Sequence, residues 1–200
     1  MARYGITGRE VLGVPMTHLR GIARQIGCDH DLAQSLWASG IFEGRLLGCL
    51  IADPGQLTRP QAEALAGMFE SWADCDGACI HLIRKTPFAH QLAVAWSRRR
   101  PEFVRRAGFA LMATLAVHDR GASDAVFQAH LERVVRAGAD ERNGVKKAVN
   151  WALRQIGKRN RRLRVKAQQA AERIQRIDSP AARWIAGDAL REFRRVPAKD

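Results

Sequence analysis

The chain has 200 residues with 33 Lys+Arg against 20 Asp+Glu, a formal charge of +13, and 46% hydrophobic residues. That composition excludes a disordered basic tail and supplies enough apolar chain for a core. The longest uncharged apolar run, Phe109 to Val117, is too short to span a bilayer, and Met1-Ala2-Arg3-Tyr4-Gly5 lacks the apolar stretch of a secretory signal, so a cytoplasmic protein with a polyanionic partner is the expectation.

Helix punctuation recurs along the whole chain, and no stretch alternates as a strand would. Pro15 opens a segment that Gly27 closes. Asp29 or Asp31 caps the next, which ends near Gly40. Thr58 caps a helix over Pro60 to Glu70. Ser71-Trp72-Ala73-Asp74 has the form of a capping box and starts a helix expected to reach Lys85. Pro87 and Pro101 suit first-turn positions. Ser123 caps a helix to about Ala137, and Asp178-Ser179-Pro180 opens the last one. The result is an all-α chain of ten or eleven helices, whose short connections favour antiparallel neighbours.

Val104-Arg105-Arg106-Ala107 recurs as Val145-Lys146-Lys147-Ala148, a shift of 41 residues. That period lies in the HEAT/armadillo range of ~40–47 residues, so the favoured architecture is a curved α-solenoid of antiparallel helix pairs. A single domain over 1–200 is expected, with 196–200 as a disordered tail.

The charge is uneven. Residues 1–140 hold 16 basic and 14 acidic residues, a net of +2; residues 141–200 hold 17 and 6, a net of +11. Arg142 to Lys166 contains ten basic residues and no acid. Such a run repels itself unless a phosphate-bearing partner, or plain solubility, accounts for it. None of the four cysteines forms a CxxC, and Cys75 and Cys79 match no second pair, so reduced, buried cysteines are expected rather than zinc ligands. His130-Leu131-Glu132 lacks the PCxxC that a zinc deaminase would add.

Three helical faces carry information. On a projection of residues 142–158, Val145, Ala148, Val149, Ala152 and Ile156 form one stripe. Trp151 lies nearly opposite, with Lys147, Arg154 and Lys158. A tryptophan is ordinarily core, but an indole among cations suits stacking on nucleic acid. On the helix from Trp72, the buried stripe is Cys75, Cys79, Leu82 and Ile83, and Trp72 and Asp76 are i,i+4 neighbours at its edge. Asp76 reads either as a helix-start charge or as a functional acid. On the helix from Pro101, Phe103, Ala107, Leu111 and Thr114 set the packed face. Arg106 points away and is expected to be exposed, forming with Lys147 a basic ridge shared by successive helices.

At these residues the sequence resembles the AlkD-type DNA alkylation repair family, the HEAT-like repeat DNA glycosylases. The likeness covers nearly the whole chain. It is most specific at Ser71-Trp72-x-x-x-Asp76, at Phe103-Val104-Arg105-Arg106-Ala107, and at Val145 to Arg154; Ala182-Arg183-Trp184-Ile185-Ala186 also looks like this family. The resemblance implies a solenoid holding duplex DNA in a basic concave face and excising cationic N3- and N7-alkylated purines without metal or other cofactor. It puts the catalytic carboxylate on Asp76, the lesion-flanking indoles on Trp72 and Trp151, and a phosphate-binding arginine on Arg106. Lys146, Lys147, Arg154 and Lys158 are the further phosphate ligands expected. Ala73 stands where the family often has an acid, and Asp74 is an extra carboxylate. The chain also begins where relatives have a further helical segment. The expected partner is alkylated duplex DNA, bound by a monomer with no membrane and no obligate protein partner. Two other readings stand beside it. One is a non-catalytic HEAT-like module for DNA or structured RNA. The other is a scaffold for an acidic protein, which would not need Trp151 among cations.

Overall fold

The computed structural model describes residues 10–198. Eleven α-helices run through them. They are α1 (Met16–Ile26), α2 (His30–Ala38), α3 (Phe42–Ile51), α4 (Arg59–Gly67), α5 (Trp72–His81), α6 (Ala89–Trp96), α7 (Glu102–His118), α8 (Asp124–Arg136), α9 (Asn143–Arg159), α10 (Arg161–Gln175) and α11 (Pro180–Arg195). Among the described residues there is no strand, only an isolated bridge between Glu10 and Ile41. No described helix is long and apolar enough to cross a membrane.

The predicted caps hold at most helix starts. Asp29 accepts from the Leu32 amide, Thr58 forms a reciprocal capping box with Gln61, and Ser179 accepts from the Ala182 amide. Three boundaries differ, and the first is that α4 ends at Gly67, short of Glu70. The α5 helix stops at His81 and tightens into a 3-10 turn at Ile83–Lys85, where Arg84 Nε takes the Ile80 carbonyl at 2.6 Å and Thr86 Oγ1 the Ile83 carbonyl at 2.8 Å. Pro87 therefore lies two residues ahead of α6 instead of inside its first turn.

The described residues form two compact units, divided between Ala89 and His90. In the first, α3 is the central element, with α1, α2 and α5 against it. Leu19, Phe42 and Leu46 form one buried cluster there. Close approach demands small residues: a Cβ on Gly48 would meet the Trp37 ring at 2.5 Å, and one on Gly77 would meet Leu46 at 2.6 Å. Glu43 is buried, and its carboxylate is satisfied by the Leu12 and Gly13 amides at 2.8 and 2.7 Å. Cys49, Cys75 and Cys79 are buried thiols, and burial pushes Cys49 up to about 12; Cys28, expected buried, is exposed.

In the second unit α7, α9 and α11 run parallel. Their N-terminal ends meet (Glu102 to Gly144) and their C-terminal ends meet (Lys158 to Glu192). The helices α8 and α10 pack together and return antiparallel to α9, the turn before α10 being capped by Asn160. Hydrogen bonds between successive pairs span one repeat: Arg106 to Gly144 is 38 residues, Glu132 to Arg173 is 41, and Arg159 to Ala116 is 43. The sequence repeat is thus a structural one, with Val104 and Val145 each three residues past the caps Pro101 and Arg142. The predicted α9 stripe is fully buried. Val196, assigned by sequence to the tail, is held, its carbonyl accepting from Arg164 Nη2 at 2.8 Å.

Gly108 lets α7 lie against the backbone of Trp96–Ser97, which a Cβ would strike. Gly108→Ala should lower unfolding stability by about 1–3 kcal/mol in urea titrations. Gly67→Ala, with nothing within 4 Å of the new Cβ, should be neutral or stabilising by up to about 1 kcal/mol.

Candidate nucleic-acid interface

Helix α5 begins with Ser71, which closes a reciprocal capping box with Asp74. Asp74 is only 3% exposed. It accepts from the Ser71 amide (2.9 Å), the Ser71 hydroxyl (2.8 Å), the Glu70 amide (3.0 Å) and the Cys75 amide (3.0 Å). Buried Arg45 of α3 adds its charge, with Nη2 3.6 Å from Asp74 and 3.0 Å from Glu70. A carboxylate with that many donors is a structural cap. The extra acid noted in the sequence is therefore part of the helix start. Asp76, two residues on, is half-buried. Trp72, four residues before it and so its neighbour on the helix surface, is 43% exposed. Beneath them Cys75 and Cys79 face the core.

The second group of predicted residues lies on α7 and α9. Trp151 stands outside the buried stripe and is half-buried; Lys147 is exposed. The expected exposure of Arg106 is overturned. Only 7% of it is accessible, and Nη1 donates to the Gly144 carbonyl at 2.6 Å. The reason is the parallel neighbour: projection of a lone helix shows its outer side, but α9 covers that side of α7. Glu102, one turn earlier, accepts from the Gly144 amide at 2.9 Å, so α7 grips both polar groups of one α9 residue. Glu141, just ahead of α9, holds the start of α11, accepting from the Ser179 hydroxyl (2.6 Å) and the Ala181 amide (3.1 Å). These bonds hold its carboxyl below the usual range, the Ser179 hydroxyl first.

The acid-free run from Arg142 to Lys166 is not acid-free in space. Arg154 meets Glu192 at 2.5 Å and Asp188 at 3.5 Å, and Lys158 meets Glu192 at 2.6 Å. Burial works against ionisation of Glu192, yet the Lys158 hydrogen bond and the Arg154 charge hold its carboxyl below the ordinary range. Arg142 pairs with Asp140 at 2.6 Å. Arg164 is buried and donates to the carbonyls of Gly157, Phe193 and Val196. Lys146 is half-buried with its ammonium 5.5 Å from the centre of the Trp184 ring. Reading charge along the chain missed Asp188, Glu192 and Trp184. Shifting each cation by one repeat would have found them, because they lie 34 to 38 residues ahead of Arg154, Lys158 and Lys146.

Among the described residues no three His, Cys, Asp or Glu side chains come together as a metal site. His130 is buried, stacked on His90 at 5.3 Å, and held down to about 3 by burial and then by the charges of His90 and Arg133.

Comparison with known proteins gives two matches and one blank. Residues 1–193 match the family described as DNA alkylation repair enzyme. A solved structure, described as a new family of proteins related to the HEAT-like repeat DNA glycosylases with affinity for branched DNA structures, is similar over 100% of this chain and 90% of its own, with a TM-score of 0.79 and 19% identity. That likeness shows a HEAT-like repeat fold. No curated protein matches the chain.

Glu192→Gln should unmask Arg154 and Lys158. In DNA titrations at varied salt it should tighten binding and steepen the slope of log affinity against log salt by about one to two, whereas Lys147→Ala should flatten it by about one. An unchanged slope in both variants would remove these cations from the interface.

Proposed function

The chain belongs to the DNA alkylation repair enzyme family, and from that premise we propose that it is a glycosylase excising cationic N3- and N7-alkylated purines from duplex DNA. The observation that carries this reading is the difference in burial between the two carboxylates of α5, with the accessible one next to an exposed indole. Asp74 is engaged by four donors in the cap. Asp76 lies half-buried beside the exposed indole of Trp72.

The chemistry suits these groups. An alkylated purine already carries positive charge, so its bond to C1′ breaks with the electron pair leaving on the base, which departs neutral. No general acid is needed. The sugar becomes an oxocarbenium ion, which the Asp76 carboxylate stabilises. Water then adds to C1′ and releases its proton to Asp76 or solvent, leaving an abasic site. The face of Trp72 stabilises the cationic base and sugar, and the same role for Trp151 rests on the family resemblance alone. Lys147 contacts phosphate, with Lys146, Arg154 and Lys158 contributing as DNA competes for their present partners. The phosphate role of Arg106 rests on the family resemblance alone.

A second reading is supported by the neighbour's described affinity for branched DNA: a module that binds DNA without cleaving it. One experiment separates the two. Wild-type protein should release free 7-methylguanine or 3-methyladenine from alkylated duplex. Asp76→Asn should slow release by about 100-fold or more while leaving binding nearly intact. Asp74→Asn should instead lower stability by about 1 kcal/mol and retain release per folded molecule. Binding without release by the wild type would leave the module reading standing.

A further inference from the structure

Helix α11 repeats the register of the two parallel helices before it. Counting from the caps Pro101, Arg142 and Ser179, the fourth residues are Arg105, Lys146 and Arg183, and the fifth are Arg106, Lys147 and Trp184. At the position where two helices carry a cation, the third carries an indole. Trp184 has no place in the core. Ala181, Ala182, Ile185, Ala186 and Ala189 make the buried face of α11, while Trp184 is 41% exposed.

Its surroundings are cationic. The Lys146 ammonium lies 5.5 Å from its ring centre, a cation–π distance, and exposed Lys147 is the next residue on α9. The carboxylates flanking it along the chain all have partners. Glu141 holds the start of α11, Asp178 pairs with Arg183 at 3.0 Å, and Asp188 pairs with Arg154 and Arg191. The spot thus combines a flat apolar ring with cations, of which Lys146 also feels the Glu141 carboxylate that caps α11.

We propose that Trp184 is a stacking platform for an unpaired base of bound DNA, with Lys146 and Lys147 on the adjoining phosphates. This rests on the reading that DNA is the partner, but not on base excision. A base within a duplex has both faces covered by its neighbours, so only an unstacked or single-stranded base can offer a ring face to the indole. Its phosphates then meet the two lysines. An acidic peptide would satisfy the lysines and leave the indole without a matching surface.

The test compares a short blunt duplex with the same duplex carrying a single-stranded tail of a few thymines, by fluorescence anisotropy with the full chain. Wild-type protein should bind the tailed DNA more tightly. Trp184→Ala should lose about 5- to 100-fold on the tailed DNA and less than about twofold on the blunt one, and Trp184→Phe should recover most of the loss. Thermal melting of each variant should match the wild type, because the ring lies outside the core. Equal loss on both DNAs, or no loss on either, overturns the platform while leaving duplex binding in place. Loss of binding to an oligoglutamate probe without loss on the tail overturns it in favour of an acidic protein. If the wild type binds neither DNA, the DNA reading itself falls and the platform with it.

Discussion

The arrangement of α7, α9 and α11 depends on side chains at or just ahead of the start of one helix gripping the first turn of the next parallel one. The first amides of a helix have no partner within it, and the end carries partial positive charge, so a carboxylate there is doubly favoured. Glu102 fills that role for α9 and Glu141 for α11. Arg106 completes the grip by taking the Gly144 carbonyl. A Cβ on Gly144 would lie 2.6 Å from the Glu102 carboxylate oxygen and would displace that carboxylate. These contacts fix translation along the helix axes as well as distance between them. Counted from their caps, Arg106, Lys147 and Trp184 hold the same position in the three helices. In the first unit Asp74 serves the same end at α5, backed by Arg45 from α3.

That construction governs the charge. The excess of +13 divides into cations that hold the fold and cations available to a partner. Arg164 and Arg106 are buried against carbonyls, and Arg142 is tied to Asp140. Arg154 and Lys158 share Glu192, an arrangement that phosphates could displace because the three side chains remain partly exposed. Lys147 is exposed outright. The electrostatic footprint is therefore narrower than a count of Lys and Arg suggests, and it is tunable through one glutamate.

Much of the fold was legible in the sequence because helix starts are local chemistry. Ser71, Thr58, Asp29 and Ser179 cap where their spacing said they would. The buried stripe of α9 follows from a period of 3.6 residues alone. What escaped was non-local. Arg106 appears exposed on a single-helix projection and is buried by a partner 38 residues away. The acid-free run found its acids on α11. Asp74 and Asp76 are chemically alike in sequence, and their burial tells them apart, Asp74 being sealed in the cap and Asp76 half-buried. The family resemblance singled out Trp72, Asp76 and Trp151 as candidates; their chemical environments came from packing.

The central claim is that Asp76 and its indole neighbour recognise positive charge developing at the sugar. The most direct measurement compares binding to duplexes carrying, at one position, either a cationic pyrrolidine or an uncharged tetrahydrofuran in place of the deoxyribose. A transition-state-like cation should bind at least about 100-fold more tightly than its neutral counterpart, and Asp76→Asn should erase the difference. Equal affinity of the wild type for the two duplexes would contradict the account.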